Sequence, residues 1–159
     1  MKKVSIIYWS CGGNIEALAN VMAEGAKEEG AEVNVIHVAD ATVEDVLNSD
    51  AVAFGSPAVD ATKIEQEEMK PFLEQLINCT KENKNKNCIL FATYGWIEDT
   101  FMKIWKDEMT SYGFNVIGDL AVKESPTKVQ SDIIKDLGRK LARWYAKFYS
   151  IYEKLRIIF

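Results

Sequence analysis

The chain has 159 residues, 48% of them hydrophobic, which is enough for one compact domain with a full core and too few for two ordinary ones. A formal net charge of −5 argues against a general nucleic-acid or anionic-membrane binder for the domain as a whole. Cys11, Cys79 and Cys88 contain no C-x-x-C pair and His37 is the single histidine, so neither a disulfide framework nor a zinc site is readable.

In chain order, Val4 to Tyr8 reads as a strand, Asn14 to Glu29 as a helix ended by Gly30, and Val33 to His37 as a second strand. A short helical piece covers Val43 to Leu47 and a third strand covers Ala51 to Gly55. Glu65 to Ile77 reads as a helix, Cys88 to Thr93 as a strand, Thr100 to Tyr112 as a helix closed by Gly113, Asn115 to Val122 as a strand, and Lys128 onward as a long helix. The runs Ala51-Val52-Ala53-Phe54 and Ile89-Leu90-Phe91-Ala92 have no polar face, as buried central strands should. Five strands alternating with helices predict an α/β fold, a three-layer, doubly wound, five-stranded parallel sheet covered on both faces. The opening MKKVSIIYWS is basic and then apolar, but its apolar run is too short for a signal peptide, and a reduced, cytoplasmic protein is expected.

Ligands of open parallel sheets bind beyond the carboxyl ends of the strands, where strand order reverses, which directs attention to the loops after the first, third and fourth strands. In the first, Ser10-Cys11-Gly12-Gly13-Asn14-Ile15, two glycines permit the backbone to turn successive N–H groups inward, Ser10 adds a hydroxyl, and Asn14 can cap the following helix. Such a cup favours a phosphate without lysine or arginine. The same residues also fit a strand-to-helix turn that binds nothing. A Walker loop and a G-x-G-x-x-G fingerprint are both absent. A phosphatase loop is excluded because the next arginine after Cys11 is Arg139, and receiver-type carboxylates are missing where Trp9-Ser10 and Gly55-Ser56 stand. In the fourth-strand loop, Thr93-Tyr94-Gly95-Trp96 either packs an indole under a helix or offers it on the same rim for stacking an aromatic ring. Phosphate cup and indole together describe a mononucleotide with a planar head.

These pieces resemble the short-chain flavodoxins, most of all those of anaerobic bacteria. The resemblance is carried by YWS-x-x-GN-x-E, a glycine-ended third strand followed by SPAVDAT, the KPF helix opening, YGW, and MKIWKDEM with YG after it, over roughly residues 1 to 142. It implies strand order 2-1-3-4-5 and a low-potential one-electron carrier with non-covalent FMN, shuttling electrons between redox proteins, and not an enzyme, a small-molecule FMN reductase being the minor alternative. It assigns Ser10, Cys11, Gly12, Gly13, Asn14 and Ile15 to the phosphate, and Pro57, Ala58, Val59, Asp60, Ala61, Thr62, Thr93, Tyr94, Gly95 and Trp96 to the ring. Val59 is expected on the inner face, Trp96 on the outer, and Thr62 at the pyrimidine end.

The chain departs from the family in several places. Gly12 and Ile15 replace two usual threonines, and two lost hydrogen bonds to a charged group, at about 1.5 to 3 kcal/mol each, would weaken FMN binding by roughly a hundredfold to ten-thousandfold unless backbone groups or water compensate. The alternative function is therefore a flavodoxin-fold binding or scaffold protein with weakened or lost FMN binding. Asp60 stands where relatives carry a glycine whose peptide flips beside the reduced flavin, and Ile97 replaces a usual glycine after Trp96. Asp60, Glu65, Glu67, Glu68, Glu98 and Asp99 form either a solvated face or an acidic rim where donor and acceptor proteins dock.

The C-terminal part differs from what precedes it. From Arg139 on, six cations accompany Glu153 alone, a formal +5 against −10 for the rest. Residues 143–159 are expected to be a basic, aromatic helical extension that either packs back on the domain or meets a membrane surface or a partner. A monomer is expected, with no nucleic acid among its partners.

Overall fold

The computed structural model of the chain describes residues 1–95 and 100–158, and side chains as far as residue 143. Five strands, β1 (Lys3–Tyr8), β2 (Glu32–His37), β3 (Ala51–Pro57), β4 (Asn87–Tyr94) and β5 (Asn115–Lys123), alternate with α1 (Asn14–Glu28), α2 (Val43–Leu47), α3 (Met69–Gln75), α4 (Thr100–Ser111) and α5 (Lys128–Ile158). All the strands run parallel in the order β2-β1-β3-β4-β5, so the chain reverses its direction of travel across the sheet between β1 and β3. The expected fold class and strand order are both observed.

Burial follows from the strand sequences. Side chains alternate across a strand, and β3 and β4 are apolar on both faces through their middles, as is β1 apart from Ser5, whose buried hydroxyl pairs with that of Ser49 at 2.7 Å, so these three occupy the centre with helices on each face. Ile7, Phe54 and Leu90 lie in one core with Met69, Leu73, Phe101 and Trp105 from α3 and α4. Ile6, Ala53 and Phe91 lie in the other with Leu18 and Met22 of α1 and Ile134 and Leu141 of α5. Fully burying one such large apolar side chain is worth about 1.5–3 kcal/mol.

Two helical glycines set the spacing of the second layer. A Cβ on Gly138 would lie 2.0 Å from the Met22 carbonyl oxygen, and one on Gly25 would lie 2.0 Å from that of Lys135. Each glycine costs the helix up to about 1 kcal/mol, and in exchange α1 and α5 approach backbone to backbone. Ion pairs from Lys135 and Arg139 to Glu28, at 2.9 and 2.8 Å, line the outside of this contact.

α3 is shorter than the periodicity of residues 65–77 predicts. Residues 65–68 form a capping turn before α3, and a 3-10 turn, Leu76–Cys79, ends the segment. β3 runs two residues beyond Gly55, because Ser56 and Pro57 continue the ladder opposite Ala92 and Thr93.

Candidate functional site

The loop after β1 leaves the sheet with the Trp9 N–H still bonded to the Gly55 carbonyl at 2.9 Å. Gly12 and Gly13 then adopt φ of 95° and 94°. A Cβ at either would touch nothing within 4 Å, so glycine is required there by backbone conformation alone. The Gly13 N–H donates to Ser10 Oγ at 3.2 Å, which leaves the serine its own hydroxyl hydrogen to donate. Gly13 is the N-cap of α1, correcting the expectation that Asn14 would cap: Asn14 is already helical, and no side chain bonds the helix end. The first bond of the helix is Ala17 N–H to Gly13 C=O at 2.9 Å, so the N–H groups of Asn14, Ile15 and Glu16 precede the ladder at the positive end of the helix dipole.

Within this loop the residues divide by role. Cys11, Gly12 and Asn14 are exposed, whereas Ile15 is 2% exposed and packs in the core with Leu18. Its side chain is withdrawn from the loop mouth, and only its N–H can serve a ligand there. Burial first, then the Glu16 carboxylate with its hydrogen bond, then Asp40, hold the Tyr8 phenol above its ordinary pKa. Backbone N–H groups, one hydroxyl and a helix N-terminus form a donor set that fits a phosphate.

The loop after β3 is organised by its own backbone. Ala58 N–H donates to Thr93 O at 2.8 Å and Val59 N–H to Lys63 O at 2.9 Å, bringing Ala58 opposite Ile64 in an isolated antiparallel bridge. Between them Asp60 Oδ1 accepts from the Thr62 N–H at 2.8 Å and hydroxyl at 3.1 Å. The Thr62 backbone bond is the main reason the Asp60 carboxyl lies below its usual range. This turn employs the Thr62 hydroxyl, the group expected at the pyrimidine end of a flavin. Asp60 itself avoids the left-handed region. Val59 is 51% exposed, a large apolar side chain at the carboxyl rim of the sheet.

On the other side of this loop, Thr93 and Tyr94 close β4, and Gly95 has open space at its Cβ position. Tyr94 is half-buried against Phe101 at 6.3 Å between ring centroids. Trp96, with Ile97, Glu98 and Asp99, lies outside the described residues. Gly55 serves a different purpose: a Cβ there would sit 2.2 Å from the ring of Phe91, its partner on β4, so its absence lets that ring lie across β3 on one face of the sheet.

One member of the expected acidic rim belongs to the interior. Glu65 is 5% exposed, and its carboxylate accepts the N–H groups of Glu67 at 2.7 Å, Glu68 at 2.9 Å and Met69 at 2.6 Å, capping α3. Its own N–H donates to Ser56 Oγ at 3.0 Å, tying the third-strand loop to the helix start. Asp60, Glu67 and Glu68 remain exposed. Trp9 and His37, neither of them an expected site residue, also lie at this rim. The Trp9 indole donates to Glu68 at 3.0 Å, bracing the first loop against α3, and His37 lies beside Ser10. Glu65 lies three residues before the N-cap position of α3, outside the usual capping patterns, and nothing local marks the other two.

The flavodoxin family model matches residues 6–135. A flavodoxin of Clostridium beijerinckii is 33% identical over 140 residues, covering 87% of this chain and 99% of its own length. The flavodoxin of Megasphaera elsdenii is 34% identical, covering 88% of this chain and 98% of its own. The solution structure of the latter in its two-electron reduced form superposes with a TM-score of 0.80, over 88% of this chain and 98% of that one. With this sheet order and this glycine loop at the end of β1, the chain belongs to the flavodoxin family and is an FMN-binding electron carrier.

Proposed function

We propose that the three rim loops hold FMN with the phosphate at Ser10–Ile15 and the ring between the Pro57–Thr62 and Thr93–Trp96 segments. The observation that carries this assignment is the paired positive φ of Gly12 and Gly13 directly before a helix with no side-chain cap. It also answers the missing threonines, because N–H groups from the loop and first helical turn supply donors where the family uses hydroxyls. Val59 covers one ring face with an exposed apolar side chain, and Trp96 covers the other. Bound FMN supplies the one-electron redox chemistry; the protein supplies position and electrostatics.

The exposed carboxylates of Asp60, Glu67 and Glu68 form the docking rim for positively charged faces of donor and acceptor proteins, and they disfavour additional negative charge on the cofactor, keeping its potential low. Residues 1–142 form the FMN-binding domain and residues 143–159 a basic extension that packs back on the domain or meets a partner or a membrane surface. In support of this division, the match to the flavodoxin family model ends at residue 135, ahead of the extension. Among the described residues no helix is long and apolar enough to cross a membrane. Three free cysteines suit a reducing, cytoplasmic setting.

Titration of apo-protein with FMN tests the assignment. Stoichiometric binding that quenches tryptophan fluorescence, followed by stepwise bleaching with dithionite, is expected. No binding at micromolar FMN would overturn it.

A further inference from the structure

We propose that the last turns of α5 form a basic amphipathic helix that seats the protein on an anionic lipid surface, at the end of the sheet opposite the FMN rim. The inference deepens the reading of residues 143–159 as an extension and is independent of the FMN assignment. α5 runs beside α1 away from the carboxyl rim: Gly138 meets Met22, Arg139 pairs with Glu28, and Arg143 reaches Glu29 at 3.6 Å, where α1 has already ended. Ala142 borders a cavity at the amino edge of the sheet together with Met1, Lys2, Asp50 and Asn87. The α5 backbone stays helical to Ile158, fifteen residues past Arg143 and so roughly 22 Å further at about 1.5 Å per residue.

The order of residues along these turns identifies the neighbour. Ile134, Leu137 and Leu141 pack in the core, and the stripe they begin continues at the same spacing of three and four through Trp144, Phe148, Ile151, Leu155 and Ile158. α1 ends at Glu28 and β5 starts at Asn115, so the elements that cover this stripe within the domain do not accompany it. On a helix, positions 145 and 152 fall along one border of the stripe and 147 and 154 along the other, tyrosines on the first and lysines on the second. Indole and phenol rings suit the headgroup level of a bilayer, where one end is apolar and the other wet. Residues 143–159 hold four cations and Glu153 alone, a formal +3, against −8 for the remaining residues. An anionic surface therefore attracts this helix and repels the domain, which turns the acidic rim of Asp60, Glu67 and Glu68 away from the lipid and toward redox proteins. A second copy is a poorer neighbour, because two such helices side by side set cations against cations with one acid each to offset them.

Co-sedimentation of the full chain with lipid vesicles is the test. The protein is expected to sediment with phosphatidylcholine vesicles containing about one-third phosphatidylglycerol, and to bind phosphatidylcholine alone at least about tenfold more weakly. Lys147→Gln combined with Lys154→Gln should weaken binding to the mixed vesicles by about ten- to thirtyfold. Phe148→Gln combined with Leu155→Gln should weaken it by at least about tenfold. FMN affinity, measured on the same proteins, should be equal in all three. No sedimentation with the mixed vesicles, or either double variant sedimenting like wild type, overturns the lipid contact and leaves the FMN assignment standing. A dimer that the Phe148→Gln, Leu155→Gln protein fails to form, without vesicle binding, gives the stripe to a second copy instead. Weaker FMN binding in the variants overturns the proposal by placing the extension against the domain.

Discussion

Replacing Glu65 by glutamine removes one charge and one acceptor from a carboxylate that three N–H groups share at 2.6–2.9 Å inside the protein. A glutamine can present a single carbonyl oxygen there, and its NH2 group must face an N–H donor. Hydrogen bonds to charged groups are worth about 1.5–3 kcal/mol each, and a charge at a helix N-terminus adds roughly 0.3–1 kcal/mol. The loss of at least one such bond, with the dipole contribution, predicts a destabilisation of about 2–4 kcal/mol. With a urea m-value of about 2 kcal/mol/M, the midpoint of unfolding should fall by roughly 1–2 M. Glu68→Gln is the matched control, because Glu68 is exposed and glutamine can still accept from the Trp9 indole; it should change stability by less than about 0.5 kcal/mol. A Glu65→Gln midpoint within about 0.25 M of wild type, or an equal loss in Glu68→Gln, would refute the assignment of Glu65 as the cap of α3.

Gly138→Ala gains about 1 kcal/mol of helix propensity but forces a methyl to within 2.0 Å of the Met22 carbonyl; separation of α1 from α5 should dominate, lowering stability by about 1–3 kcal/mol in the same urea assay. Gly13→Ala meets no steric neighbour, so its effect should be backbone strain of about 1–2 kcal/mol, together with weaker FMN binding as the loop relaxes from its positive φ. Asp60 titrates below its usual value because the ionised form accepts from Thr62, so its contribution is present at neutral pH and is lost as pH falls through the lowered value. Amide NMR should show Thr62 N–H protection unchanged from pH 7 to 5 and falling at still lower pH, with Asp60→Ala lacking the protection throughout.

The alternation of apolar strands with amphipathic helices was legible because it expresses a local period: the middles of β3 and β4 have no polar face, and strands of that kind alternating with helices require a covered parallel sheet. The glycine loop was legible for a similar reason, since positive φ is a property of single residues, and Gly12 and Gly13 announce it. What the sequence could not decide depends on which side chains the folded segments bury and which backbones they bring together. Gly25 and Gly138 look like weak points in two helices until each is found against the other helix's backbone. Glu65 looks like one more surface acid until its loop turns it under the start of α3. Ile15 occupies a loop position where the family has a hydroxyl, and only packing against Leu18 shows its side chain committed to the core. His37 stands 27 positions from Ser10, and parallel pairing of β1 with β2 brings it beside the phosphate loop. Local chemistry determined the elements and the ligand class; the tertiary structure decided which side chains remain at the site, because burial and hydrogen bonding between distant segments determine what a residue can offer a ligand.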